Sequence, residues 1–175
     1  MRPAGPGDAA GIAAVYAPYI TDSVASFEAV PPDADEMRRR MLVEPRLPWL
    51  VATRDDAVVG YCYGSAHRGR AAYRWSVDCS VYVAASEHRR GTGRALYEQL
   101  LPLLRDLGHV TVFAGVTLPN AASVGLHEAL GFTPVGVFRH AGFKAGAWHD
   151  VGWWQRSLQE LPEEPVEPRP WVPSA

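Results

Sequence analysis

The feature that most constrains this chain is the run "SVYVAASEHRRGTGRALYEQLLPLLRDL", residues 80–107. An alternating strand passes through a basic G-x-G loop straight into a segment whose leucines, Leu96, Leu100, Leu103, Leu104 and Leu107, fall on one helical stripe. A strand–loop–helix of this kind aims free backbone N–H groups and the positive end of a helix dipole into the loop. Glycine lets a bulky anion approach the backbone, and arginines add charge-assisted bonds. It is not a P-loop, because Arg94-Ala95 rather than Lys-Ser/Thr follows Gly93. Nor is it a dinucleotide fingerprint, since Leu96 occupies the third small-residue position. A lone G-x-G is more often an ordinary helix start; the preceding strand and the surrounding arginines favour an anion site here.

Around that unit the pattern reads α, α, β, β, β, α, β, α, β, β, with a further short strand at "MRPA". Asp8 is the expected cap of "AAGIAAVYAPYI", and a second helix is expected over residues 34–43, with Arg38, Arg39 and Arg40 on a solvated face. Strands are expected in "WLVATRD", "AVVGYCYGSA" and "YRWSVDCSVYV", the first two joined by a turn at Asp55-Asp56. Then come the helix from Thr92 to Leu107, kinked at Pro102, the strand "HVTVFAGV" and the Asn120-capped helix "NAASVGLHEALG". "FTPVGVF" and "WHDVGWWQRSL" close the order. The fold class is α/β: a mixed, mostly antiparallel central sheet flanked by helices.

The 175 residues suit one domain, expected over 1–158. Residues 159–175, with five prolines in "LPEEPVEPRPWVPSA" beside several glutamates, read as an extended surface tail. With 17 basic against 19 acidic residues the net charge is −2, which is no footprint for nucleic acid. No apolar run reaches the length of a membrane span and the N-terminus has no signal-peptide stretch, so the expected location is cytoplasmic. Cys62 and Cys79 lack metal-ligand spacing and read as small buried hydrophobes; no metal is expected.

Residues 74–83 alternate. Trp75, Val77, Cys79, Val81 and Val83 share one face; Arg74, Ser76, Asp78, Ser80 and Tyr82 share the other. A hydrated sheet edge would explain the polar row, but helices expected on both sides favour a cleft. On this reading Arg74 and Asp78 lie about 13 Å apart along one strand face.

"VYV" with a basic G-x-G loop, followed by "N-x-x-S" and "LGF", resembles the acetyl-CoA signature of the GNAT superfamily of N-acetyltransferases. "YRWSVDCSVYV", "LPNAASVGLHEALGF" and "AGFKAGAWHDVGWWQ" are more specifically similar to its phosphinothricin and methionine sulfoximine acetyltransferase branch. The resemblance covers about residues 1–158. It implies that His88, Arg89, Arg90, Gly91, Thr92, Gly93 and Arg94 hold the pyrophosphate of coenzyme A, although His88 departs from the usual Gln or Arg. It places Val81, Tyr82, Val83, Asn120 and Ser123 beside the rest of the cofactor, with strand amides of Ser80 to Val83 stabilising the oxyanion. Asn120 reads equally as a plain helix cap.

The resemblance further implies Asp78 as general base, through a bridging water because it replaces the usual Glu, and His127 as proton donor to the departing thiolate. Arg74, Ser76, Phe27, Glu28 and Lys144 would bind the acceptor, Arg74 gripping an acidic group; for Phe27, Glu28 and Lys144, packing and surface charge are the plainer reading. His67, His109, His140 and His149 receive no role. The implied enzyme acetylates the α-amine of a small amino-acid-like molecule, with acetyl-CoA as co-substrate, and forms a homodimer. A different amine, such as a peptide N-terminus or polyamine, or a non-catalytic acyl-CoA sensor, are the alternatives.

Overall fold

The computed structural model describes residues 1–173. Seven strands form one sheet: β1 (Arg2–Pro3), β2 (Trp49–Arg54), β3 (Ala57–Ala66), β4 (Ser76–Val83), β5 (Thr111–Leu118), β6 (Thr133–Lys144) and β7 (Ala147–Ser157). Their order is β1-β2-β3-β4-β5-β7-β6. Four helices flank the sheet: α1 (Ala9–Thr21), α2 (Ala34–Met41), α3 (Thr92–Asp106) and α4 (Ala121–Ala129). Every neighbouring pair is antiparallel except β4 and β5, which a helical crossover through α3 makes parallel.

The sheet is apolar on both faces, so each face acquires its own core. On one side Leu96, Leu100 and Leu104 of α3 meet Cys62, Val77, Cys79 and Val112. On the other, Ile12 and Tyr16 of α1 and Met37 and Met41 of α2 cover Trp49, Val51 and Tyr61. Truncating any of those fully buried leucines to alanine costs about 2–5 kcal/mol in lost transfer energy and cavity formation. Cys62 and Cys79 are free, buried thiols, as small core residues should be; burial pushes the Cys79 thiol up to about 12.

The β2–β3 turn is the Asp55-Asp56 hairpin, with φ of 48° and 63° in the left-handed region that such two-residue turns require. Several sequence expectations need correction. Asp8 does not cap α1; its carboxylate is taken by Arg2 at 2.7 Å and by the Gly5 amide at 2.8 Å. α2 stops at Met41, and Arg40 leaves the solvated face to grip Glu28. β6 extends six residues beyond Phe138, to Lys144, where Ala145-Gly146 makes a second two-residue turn (φ 51° and 77°). α3 continues through Pro102 as one helix.

The tail beyond Ser157 is tied to the surface by named contacts. Trp75 Nε1 donates to the Val166 carbonyl at 2.8 Å, the Arg169 amide donates to Leu107, and Trp171 is buried beside Arg46.

Candidate active site

β4 is where the sheet opens. Along β3 it is paired continuously from Val77 to Val83, but along β5 it is paired only over Ser76, Val77 and Asp78. From Cys79 onward that edge has no strand partner. Within a strand, backbone groups of successive residues point to alternate edges. Val83 turns its amide and carbonyl away from β3, toward Tyr19, so Val81 also presents its amide to the opening. No protein group among the described residues accepts the Val81 N–H across that opening. Tyr19 already occupies Val83, so of the Ser80–Val83 amides it is that of Val81 that faces the opening without a protein acceptor among the described residues.

One end of the opening is the basic G-x-G loop. Arg89 and Gly91 both have left-handed φ, 61° and 82°. This bends the chain so that the amides of Gly91, Thr92, Gly93 and Arg94 enter α3 without a protein acceptor among the described residues. Only at Gly91 does the backbone demand glycine; a Cβ on Gly93 would meet ordinary van der Waals contacts at 3.6 Å and beyond. Beneath the loop sits Glu87, which sequence reasoning passed over. Its side chain is buried, yet Arg54 grips it through two bonds of 2.8 and 2.9 Å and the Thr92 hydroxyl donates at 2.7 Å. These partners, Arg54 first, pull the Glu87 carboxyl down to about 2. Thr92 therefore spends its hydroxyl on the loop's own scaffold. Arg89, Arg90 and Arg94 stay exposed around the amides, and His88 Nε2 lies 3.2 Å from Tyr19 Oη.

The floor of the opening holds Asp78, on the α1–α2 face of the sheet beside Ser65 of β3 and Phe113 of β5. Burial raises its pKa, the His67 bond opposing the shift. His67 Nδ1 lies 2.6 Å from Asp78 Oδ1, and its ring stacks on Phe113 at 4.3 Å. His67 had no role in the sequence reading. Its position two residues beyond Ser65 becomes meaningful only once the β3–β4 register is known. A cavity of about 200 Å³ adjoins this face of β3, lined by Arg40, Met41, Trp49, Tyr63 and Ser65 among others.

The expected acceptor wall is present, but its residues bond to one another. Lys144 Nζ donates to the carbonyls of Ile20 and Ser26, each at 2.7 Å, and of Glu28 at 3.2 Å. Glu28 accepts both Arg40 guanidinium bonds (2.7 and 3.0 Å) and the Tyr16 hydroxyl, and Arg40 above all holds its carboxyl below the usual range. Phe27 is half-exposed and lies against Gly142, where a Cβ would come within 2.3 Å of its ring. Thus the segment between α1 and α2 is riveted to the β6–β7 hairpin.

Two expected residues stand elsewhere. Arg74 is not on the strand: it ends the helical turn at Ala71–Tyr73 with helical φ and ψ, so it does not share a face with Asp78. Its guanidinium pairs with Glu167 of the tail at 2.7 Å and lies over Trp75. Ser76 does begin β4 on the Asp78 face. His127 is buried in the core rather than poised at the opening. Nδ1 donates to the Ser123 carbonyl at 2.7 Å, and Nε2 accepts from the Tyr97 hydroxyl at 3.3 Å. Burial lowers its pKa, and both ring nitrogens have partners within the protein. Asn120 caps α4 by accepting the Ser123 amide at 3.1 Å, the plain role weighed above.

The comparisons agree with this geometry. The "Acetyltransferase (GNAT) domain" family model matches residues 1–153. The phosphinothricin N-acetyltransferase of Streptomyces viridochromogenes is 41% identical over 174 residues, covering 97% of this chain and 93% of its own. The L-methionine sulfoximine/L-methionine sulfone acetyltransferase of Pseudomonas aeruginosa is 30% identical, with 94% and 98% covered. A solved phosphinothricin acetyltransferase from Sinorhizobium meliloti, in complex with AcCoA, superposes with a TM-score of 0.90 at 35% identity, covering 95% of this chain and 92% of that one. A sheet opened at one parallel pair, with unclaimed amides at a helix mouth and these relatives along nearly its whole length, has one assignment: the chain belongs to the GNAT acetyltransferase family.

Proposed function

We propose that the protein transfers the acetyl group of acetyl-CoA to the α-amine of a small, acidic amino-acid-like acceptor such as phosphinothricin or methionine sulfoximine. The observation that carries this reading is the opening between β4 and β5. It runs from four unclaimed amides at the mouth of α3, past the free Val81 amide, to the Asp78 carboxylate at its floor. The pyrophosphate of coenzyme A fits the loop end: Gly91 bears no side chain, nothing lies near its Cβ position, and three exposed arginines surround it. A thioester carbonyl beside Val81 would have its developing oxyanion met by that N–H. On the far side the amine would enter below the riveted segment and deliver a proton toward Asp78.

The acceptor's acidic groups need a cation. Arg68 already stands near enough for its charge to act on Asp78, whereas Arg74 would serve only by leaving its exposed pair with Glu167, of the kind that holds weakly, and turning toward the opening. Two relatives whose names specify phosphinothricin and methionine sulfoximine point the same way. The test is release of free thiol from acetyl-CoA with a panel of amines. Phosphinothricin or methionine sulfoximine should give higher kcat/KM than N-terminal peptides or polyamines; a preferred polyamine would overturn the acceptor assignment.

The protein acts as a homodimer in this reading. β6 is the sheet's outer strand, and it exposes Val135, Val137, Phe138 and Phe143, with Trp148 beside them. A long apolar edge calls for cover. The two unpaired thiols fit a reducing, cytoplasmic setting.

A further inference from the structure

We propose that the group that takes the proton from the acceptor amine is His67, with Asp78 behind it as the carboxylate that holds its other nitrogen. This rests on the acetyl-transfer reading above and names the base within it.

Four observations carry it. His67 Nδ1 and Asp78 Oδ1 are 2.6 Å apart, the separation of a strong charge-assisted bond. A carboxylate only accepts, so Nδ1 carries the hydrogen in that bond and the neutral ring keeps its lone pair on Nε2. Nε2 meets no protein partner among the described residues and is not among the polar atoms sealed from solvent, so that lone pair is available. The ring is fixed as well as bonded: it stacks on Phe113 at 4.3 Å and 17°, and meets Tyr73 and Trp153 edge-on at 5.8 and 6.1 Å. A side chain only 11% exposed and wedged between three aromatic rings is pre-organised in a way a solvated histidine is not.

The chemistry explains why two groups serve better than one. An isolated carboxylate is a weak base toward an ammonium, and Asp78 reaches less far into the opening than a longer acidic side chain would. An imidazole offers a nitrogen lone pair that can take a proton and pass it on to solvent. The carboxylate behind it selects the tautomer and stabilises the imidazolium, the logic of an acid–histidine pair in nucleophilic catalysis. The charged and titratable groups facing the ring are Asp78 of β4, the neighbouring Arg68 and the Tyr73 phenol; Phe113 of β5 and Trp153 of β7 complete the enclosure without charge.

The step balances as follows. The acceptor ammonium gives one proton to Nε2, which returns it to solvent. The neutral amine attacks the thioester carbon and the C–N bond forms. The C–S bond then breaks with its electron pair going to sulfur, and the second amine proton ends on the thiolate. The products are the amide, free coenzyme A thiol and one released proton.

His67→Gln separates base from scaffold, because glutamine can still donate to Asp78 but cannot take a proton. It is expected to lower kcat about 10²-fold with the calorimetric Kd for acetyl-CoA unchanged, and added imidazole should restore His67→Ala in proportion to its free-base concentration. A kcat within about threefold of wild type in His67→Gln, an estimate well short of loss of a general base, would mean that the ring only orients Asp78. Nitrogen-15 NMR of the acceptor-free protein decides the point independently of which amine is used. Neutral His67 should be the Nδ1–H tautomer, and Asp78→Asn should abolish that preference; an Nε2–H tautomer in the wild type would overturn the assignment. Inert wild-type enzyme across the amine panel would instead overturn the acceptor reading, with the NMR result still deciding the base.

Discussion

Tyr19 is bonded to both backbone groups of Val83: its hydroxyl donates to the carbonyl at 2.6 Å and accepts from the amide at 3.3 Å. A side chain of α1 thereby closes the last rung of the β4 edge, and the Val81 amide below it is left for a ligand. Tyr19→Phe removes this closure and the contact with His88. Net loss of such a bond costs about 1 kcal/mol. The melting temperature should drop slightly and KM for acetyl-CoA should rise several-fold, while KM for the acceptor changes less. Steady-state kinetics with both substrates varied would check the split.

Gly91 and Gly93 are expected to differ. Alanine at a φ of 82° carries roughly 1–2 kcal/mol of left-handed strain, whereas alanine at Gly93 meets only ordinary contacts. Gly91→Ala should therefore weaken acetyl-CoA about tenfold or more, and Gly93→Ala much less. Calorimetric titration of both variants reads the difference directly.

The Glu87 anchor makes a pH-dependent prediction. Its carboxyl is held at about 2 in the folded protein against a reference of 4.5. A depressed carboxylate stabilises the fold above its unfolded pKa, and that contribution fades as pH falls toward the folded value. The Tm gap between wild type and Glu87→Gln should be widest near neutral pH and should shrink as the pH falls from 4.5 toward about 2, the two values that bound the shift. Differential scanning calorimetry across that range is the check.

Lys144 bonds to three carbonyls of one segment, so its replacement should loosen that segment as a unit. In Lys144→Met, amides of residues 20–30 should exchange faster and KM for the acceptor should rise, with acetyl-CoA affinity preserved. Hydrogen exchange by mass spectrometry locates the change.

Arg74 and Glu167 provide opposite expectations. Arg74→Ala should lower kcat/KM for the acidic acceptor, whereas Glu167→Gln, which frees the guanidinium, should leave it equal or raise it. A fall in both variants, read in the same thiol-release assay, would mean that the pair serves the tail.

How far the site could be read in advance depended on whether a feature was local or needed pairing. The G-x-G loop, the α3 stripe, the Asn120 cap and the Asp55-Asp56 hairpin are written in adjacent residues, and each forms where its pattern lies. Alternation puts Asp78 on a polar strand face, and its role as base comes only from the family resemblance. Arg74 was misplaced because alternation cannot show where a strand begins, and a helical turn at Ala71–Tyr73 intervenes. His67, Glu87 and Tyr19 were missed for one reason. Each acquires its role from a partner between 5 and 64 residues away, Asp78, Thr92 or Arg54, and Val83, which the folded loops, helix packing and strand register bring within reach. His127 was read by position, while Tyr97 and Phe132, which pack it into the core, lie on other segments.

The central claim is that an acetyl group passes from a thioester held in the β4–β5 opening to the α-nitrogen of a small acid. Product analysis tests it most directly. Purified protein, acetyl-CoA and phosphinothricin are incubated together, and the products are identified by mass spectrometry and proton NMR. The account predicts one N-acetylated acceptor, modified at the α-amine, for each thiol released. An intact thioester, or thiol released without an acetylated amine, would contradict it.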